Sequence, residues 1–261
     1  MIGHPRPESI LCVSKCPWAG VGGHLEYIAS IAATYPAAEI KFNINYNGIS
    51  GNLFDLLFDY DTIKKHSASL HRERFDRTIE CADLDSFPKP YGTNRQLEVD
   101  DSTAKLIKVC KRLNFRSDLV EKAETKLNRK SGERVLGVHY RGTDKETEIS
   151  RIPYDRIFAR IRQLKSAYDQ ILIITDENMF IESLPLTDYT YFSSHMRSSQ
   201  PRTDKCIYGL HRTGLGLEHV YEAVIEIIAL GMCDHIVISR SCFAVAALIH
   251  STRGCTWEYY Y

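Results

Sequence analysis

The sequence has no excess of charge of either sign. Thirty-three Lys and Arg residues balance thirty-three Asp and Glu over 261 residues, so no net field selects nucleic acid or an anionic membrane as a partner. A local basic site for a phosphorylated small molecule stays open. No apolar run approaches the length of a membrane span, and the opening MIGHPRPESILCVSK lacks the apolar core of a signal peptide. A chain with neither feature is expected in the cytoplasm. Paired metal-ligand sets are lacking as well. Of eight cysteines, only Cys12 and Cys16 stand close together, and no second Cys or His pair completes a zinc site. Cys81, Cys110, Cys206, Cys233, Cys242 and Cys255 are scattered, several inside apolar runs, as reduced buried cysteines are. Internal repeats and low-complexity tracts are missing too.

What is present is an ordinary globular composition, 44% apolar and 25% charged, arranged as an alternation of strands and helices. ILCVS (Ile10–Ser14) reads as a strand, WAGVGGH as a glycine-rich turn, and an amphipathic helix begins near His24. EIKFNIN (Glu39–Asn45) is the next strand, and the stretch from Tyr46 to Asp100 is less regular. Helical patterns follow in STAKLIKVCKRL and DLVEKAETKLNRK, and SGE (Ser131–Glu133) breaks them. Beyond that break VLGVHY (Val135–Tyr140), QILIIT (Gln170–Thr175), YTYFSS (Tyr189–Ser194) and HIVIS (His235–Ser239) are short apolar strands. Helical patterns around Tyr154–Tyr168 and Glu218–Leu230 lie between them. Strands buried on both faces and separated by helices predict parallel sheets. The expected organisation is two α/β halves, residues 1–129 and 130–261, with a cleft between them.

Ligands of open parallel sheets bind beyond the carboxyl ends of the strands. Three strand ends in the second half carry concentrated polar groups. His139, Arg141, Thr143, Asp144, Lys145 and Glu148 follow VLGVHY; Thr175, Asp176 and Glu177 follow QILIIT; Ser239, Arg240 and Ser241 follow HIVIS. Turns and caps alone account for many such residues, but together, with an arginine directly after a strand, they point to a site. A guanidinium offers a fixed fork of donors that matches phosphate oxygens; its plainer use is an ion pair with Asp144 or Glu146. His139 and Tyr140 must face opposite sides of the sheet. Ser241 opens an apolar helix, where it serves either a phosphate or simply the helix as its N-cap. The WAGVGGH turn is not GxGxxG, so it is a poor dinucleotide fingerprint, although glycine there permits close backbone approach.

HYRGTDKETE with IPYDRI after it resembles the first shared motif of the α1,6-fucosyltransferases, His-x-Arg-Arg-Thr-Asp-Lys with an acidic residue a few positions on. TDE at Thr175–Glu177 is similar to their second motif, and CDHIVISRSCFAVAAL to their third. VGGHLEY resembles the N-terminal glycine turn and helix, with His24 where Gln is usual. The wider superfamily includes nodulation, α1,2- and protein O-fucosyltransferases. The resemblance covers Arg134–His250 well and the N-terminal half weakly.

The resemblance implies a GT-B-like fold: two Rossmann-like lobes with parallel sheets facing across a cleft, the acceptor on the first lobe and a GDP-sugar on the second. It implies inverting transfer of L-fucose, or a related deoxysugar, from GDP to a glycan hydroxyl, with no cofactor and no metal. Arg141 would stabilise the leaving diphosphate. His139, Thr143, Asp144, Asp176, Glu226, Ser239 and Ser241 would hold the donor. Lys145 and Glu148 would face the acceptor, with Glu148 as general base, and Gly22, Gly23 and His24 would form a further donor or acceptor loop. The family's second motif arginine is Gly142 here. Two alternatives stand beside this reading. Asp59–Asp61 and Asp83–Asp85 have the DxD spacing of a metal-dependent, GT-A-like transferase, and the missing arginine fits a non-catalytic sugar-nucleotide or glycan-binding module. A cysteine phosphatase is disfavoured, because neither CKRLNFR at Cys110 nor CIYGLHR at Cys206 directly follows an apolar strand.

Overall fold

Strand β1 (Ser9–Ser14) is the centre from which the N-terminal half is built. The structure is a computed structural model, and it describes residues 7–14, 20–46, 49–59, 74–81, 113–142, 152–185, 187, 189–191, 216–239, 241–251 and 254–260. β1 is flanked on both sides by parallel partners, β2 (Glu39–Ile44) and β3 (Arg77–Cys81), in the order β2-β1-β3. Helix α1 (Val21–Thr34) makes the crossover between β1 and β2. Its buried residues run almost without interruption from Val21 to Ala32, the mark of a helix with packing on every side. The short helix α2 (Leu53–Leu57) is tied to β2 by Asn52. That side chain caps Phe54, accepts the Ile44 N–H at 2.9 Å and donates to the Phe42 carbonyl at 2.7 Å.

Helix α3 (Ser117–Leu127) ends on Asn128 in the left-handed region and leads into the second sheet. There β4 (Val135–Tyr140), α4 (Tyr154–Leu164), β5 (Gln170–Thr175), α5 (Asn178–Glu182), β6 (Thr190–Tyr191), α6 (Leu217–Gly231), β7 (His235–Ile238), α7 (Cys242–Ile249) and β8 (Thr256–Tyr259) follow in turn. The strand order is β6-β5-β4-β7-β8, parallel throughout. β4, the middle strand, is buried along its whole length, which explains why VLGVHY has no polar alternation.

The two faces of this sheet pack differently. Leu136, Val138 and Tyr140 join Ile157, Ile161 and Phe180 of α4 and α5 in one core. Val135, Leu172, Ile174, Ile236 and Ile238 point the other way, into a core continuous with Val224 and Ile227 of α6, Ala244 and Leu248 of α7, Leu25 and Ile28 of α1, and Ile10 and Phe42 of the first sheet. Helices α1, α6 and α7 therefore lie between the two sheets. No helix among the described residues is long and apolar enough to cross a membrane.

Most expected elements are present within two or three residues. The stretch read as irregular contains α2 and β3, and β8 was not expected. β8 is a short edge strand held from outside: Arg160 grips Glu258 through two bonds of 2.6 Å, and the Tyr260 hydroxyl donates to the Arg156 carbonyl at 2.7 Å. The expected helix in STAKLIKVCKRL, and the strand beyond Tyr191, lie outside the described residues.

Candidate active site

α1 and α7 meet at their N-termini. A Cβ on Gly22 would fall 2.6 Å from the Phe243 backbone nitrogen, so only glycine lets these two helix starts touch, backbone to backbone. The close approach that this glycine permits is thus to α7. Because α1 follows β1 and α7 follows β7, this contact brings the carboxyl ends of both sheets to one place. Strand-end chemistry from the two halves can then act on one ligand.

On the side of the second sheet, β4 and β7 are in parallel register at His139 and Ile238, and their ends are stitched together. Ser239 N–H donates to the His139 carbonyl at 3.0 Å. The Arg141 N–H donates to Ser239 Oγ at 2.9 Å, and the same oxygen lies 3.4 Å from His139 Nδ1. With one lone pair of Oγ taken by the Arg141 N–H, its hydrogen and its second lone pair remain for Nδ1, so the direction of that contact follows the tautomer of the neutral imidazole. His139 is buried and stacked on Phe243, ring centroids 5.1 Å apart. Burial, with the adjacent Arg141 charge, pushes its pKa down to about 3. It is a neutral hydrogen-bonding group at any ordinary pH.

Arg141 itself is 18% exposed and pairs with Asp176, Nε to Oδ2 at 3.1 Å. Asp176 Oδ1 accepts the Gly142 N–H at 2.9 Å. Among the described residues this carboxylate partner comes from the neighbouring strand end; Asp144 and Glu146, the local partners that the sequence also allowed, lie outside them. Below Gly142 sits Glu177, only 5% exposed, which accepts a 2.5 Å bond from the Tyr154 hydroxyl.

The first sheet contributes Ser14, His24 and Tyr46. His24 Nδ1 lies 3.5 Å from Ser14 Oγ at the end of β1, and its ring meets Tyr46 edge-on at 5.7 Å. Its Nε2 is buried with no hydrogen-bond partner among the described residues, and burial pushes its pKa down to about 4. Burial raises the Tyr46 hydroxyl to about 12, against the opposing pull of the Arg141 charge. Tyr46 of the first half therefore lies within electrostatic reach of Arg141 in the second.

Of the residues singled out from sequence, the structure brings together His139, Arg141, Asp176 and Ser239 by direct contact. Ser241 caps α7, its Oγ accepting the Phe243 N–H at 3.1 Å. Gly22 lies against that same turn, with Gly23 and His24 next in α1. Glu226 is buried on α6, which packs on α1 and α7. Thr143, Asp144, Lys145 and Glu148 lie outside the described residues, as do Asp61, Asp83 and Asp85. Asp59 follows α2, where its N–H donates to the Asn114 carbonyl at 3.0 Å.

Tyr46, Tyr154 and Phe243 were missed from sequence. Tyr46 sits two residues past β2, so the strand-end rule applied to the first sheet finds it. Phe243 is hidden within an apolar helix pattern, and only the fold shows that it stacks on His139.

Two parallel α/β sheets whose strand ends converge define the GT-B class of glycosyltransferase folds. Neither a protein-family model nor a curated protein matches the sequence. Solved structures do match the fold. The NodZ α-1,6-fucosyltransferase co-crystallised with GDP superposes with a TM-score of 0.54 at 15% identity, over 93% of this chain and 92% of that one. The fucosyltransferase NodZ from Bradyrhizobium gives 0.53 at 15% identity, over 93% and 92%. POFUT1 in complex with GDP gives 0.53 at 11% identity, over 99% of each chain. The chain shares the fold of these fucosyltransferases over most of its length.

Proposed function

We propose that the protein transfers L-fucose from GDP-fucose to a hydroxyl of a glycan, with inversion at the anomeric carbon. The observation that carries this reading is Arg141. Its guanidinium stands directly past the central strand, its backbone pinned by Ser239 and its Nε oriented by Asp176. A cation held in place before any ligand arrives stabilises charge that develops on a departing diphosphate, and reorganises little as it does so. Residues 130–261 hold the donor in this reading and residues 1–129 the acceptor. His139, held neutral by burial, offers a hydrogen bond to the nucleotide or sugar, and Ser241 and the start of α7 face the phosphates. Thr143, Asp144 and Glu226 complete the donor contacts. Lys145 and Glu148 face the acceptor, and Glu148 removes the proton of the attacking hydroxyl. A NodZ structure of the same fold was soaked with GDP-fucose, which supports a GDP-sugar as donor.

The test is a nucleotide screen by thermal shift, because a ligand bound well above its Kd raises the melting temperature. GDP and GDP-fucose should stabilise the protein, and UDP and UDP-sugars should not. A larger shift with UDP would sink the assignment. Glu148→Gln should keep GDP binding and lose transfer. GDP binding with no turnover of any GDP-sugar in the parent protein would instead favour a binding module.

A further inference from the structure

Gly142 has an ordinary backbone conformation, since it is not among the glycines with positive φ. Its glycine identity therefore answers to space. A Cβ at this position would land on the carboxylate of Glu177. That carboxylate is not a loose surface group that could swing away. Glu177 is 5% exposed, its Oε2 is fixed by the Tyr154 hydroxyl, and its N–H is held by Thr175 Oγ1 at 3.2 Å. Tyr154 is itself clamped, its ring 5.3 Å from Tyr140 and 5.2 Å from Phe180. Burying a carboxylate is costly unless it is hydrogen-bonded; the Tyr154 bond offsets part of that cost, and the position still calls for a structural reason.

The geometry supplies one. Two consecutive carboxylates at the end of β5 hold two consecutive residues at the end of β4. Asp176 binds Arg141 Nε and Gly142 N–H, and Glu177 fills the space beneath the Gly142 Cα. The Tyr154 hydroxyl then links this pair to the start of α4, and the Tyr140 hydroxyl donates to the Ile152 carbonyl at 3.1 Å beside it. We infer that Glu177 is a positioning residue: its carboxylate occupies the volume of a side chain at position 142 and, through Gly142 and Tyr154, sets the turn that presents Arg141. Positions 142 and 177 thus exclude one another. A side chain at 142 forces Glu177 off Tyr154, and Arg141 moves with the turn. The inference rests on the transferase reading for what Arg141 does, while the exclusion itself rests on packing alone.

The experiment measures GDP affinity by calorimetry, KM and kcat with GDP-fucose, and melting temperature. The proteins are the parent, Gly142→Ala, Glu177→Ala, Glu177→Gln, the Gly142→Ala/Glu177→Ala double variant, and Tyr154→Phe. Gly142→Ala should bind GDP on the order of tenfold more weakly, and the double variant no more weakly than that, the non-additivity expected of residues in contact. Glu177→Gln keeps an acceptor for Tyr154 and should lose less than Glu177→Ala. Tyr154→Phe adds no volume and removes the bond to Glu177, so it should weaken GDP binding even if Gly142→Ala does not fold. The inference is overturned if Gly142→Ala and Tyr154→Phe bind GDP like the parent. It is overturned too if the two single losses multiply in the double variant, or if the variants lower melting temperature without moving GDP affinity. Failure of the parent protein to bind GDP overturns the transferase reading instead, and that shows before any variant is made.

Discussion

Arg141 Nε lies 3.1 Å from Asp176 Oδ2, and Asp176 spends its other oxygen on the Gly142 N–H. One carboxylate thus orients both the guanidinium and the turn that carries it. In Arg141→Ala the aspartate loses its ion pair and keeps the backbone bond, so the fold should survive with a melting temperature a few degrees lower. Turnover should suffer far more. Removing one preorganised donor to developing charge costs about 3–4 kcal/mol of barrier, roughly a hundred- to a thousandfold in rate. Arg141→Lys should rescue poorly, since a point charge does not reproduce the planar fork. Parent-like turnover in Arg141→Ala, or an unfolded protein, would make the charge structural and sink the mechanism.

Ser239 tests the backbone side of the same arrangement. It is 4% exposed, and its hydroxyl is the acceptor for the Arg141 N–H. Ser239→Ala leaves that donor without its partner in a buried setting, a loss of about 1–3 kcal/mol in unfolding free energy. It also removes the contact to His139 Nδ1, so GDP affinity should fall along with stability. Urea unfolding and calorimetry read the two effects separately. A variant as stable as the parent would show that the Arg141 N–H finds another acceptor.

The C-terminal sheet was legible because its strands are buried on both faces. VLGVHY and QILIIT have the boundaries read from their apolar runs, and the strand-end rule singled out His139, Arg141, Asp176 and Ser239, which the structure brings into contact. Elements that failed to show in the pattern owe their structure to contacts distant in sequence. β3 is fixed by β1 and by Asp76, which accepts from Ser9 N–H and Oγ at 2.8 Å each. β8 depends on Arg160 of α4, ninety-eight positions away. The same limit applies to the site. No spacing rule foretells that Glu177 fills the space above which Gly142 stands, or that Gly22 is small so that α7 can approach. The sequence showed a glycine where an arginine was expected; the reason lies in another strand.

Metal dependence separates this mechanism from the DxD alternative. If Arg141 neutralises the departing diphosphate, fucosyl transfer in EDTA should stay within about twofold of the untreated rate, because no Lewis acid is needed for that charge. The assay is transfer from GDP-fucose before and after chelation, with manganese added back. An absolute manganese requirement, abolished by changing Asp59, Asp61, Asp83 or Asp85, would move the chemistry into the N-terminal half.

The buried histidines make the fold acid-sensitive, and His24 offers the clearest test. Burial lowers its pKa from the ordinary 6.5 to about 4, so between those values the unfolded chain holds a proton that the folded chain does not. Stability must then fall as pH drops through this window, and be fully restored above it, at about 1.4 kcal/mol per pH unit for one such group. His139, with a pKa of about 3, and His250, with one of about 4, act in the same direction. Glu258 adds a separate loss lower down: Arg160 holds its carboxyl below the usual value, so its contribution disappears only as pH falls below the ordinary carboxylate range. His24→Gln removes one histidine from the upper window without removing polar function from the position. Its melting temperature should therefore decline less steeply than the parent's between pH 6.5 and 4.5, with the two curves running parallel above pH 7. The parent difference across that window should shrink by about 3 kcal/mol at most. Curves of identical steepness would mean that His24 is protonated in the folded protein as easily as in the unfolded one, and would overturn the argument from its burial.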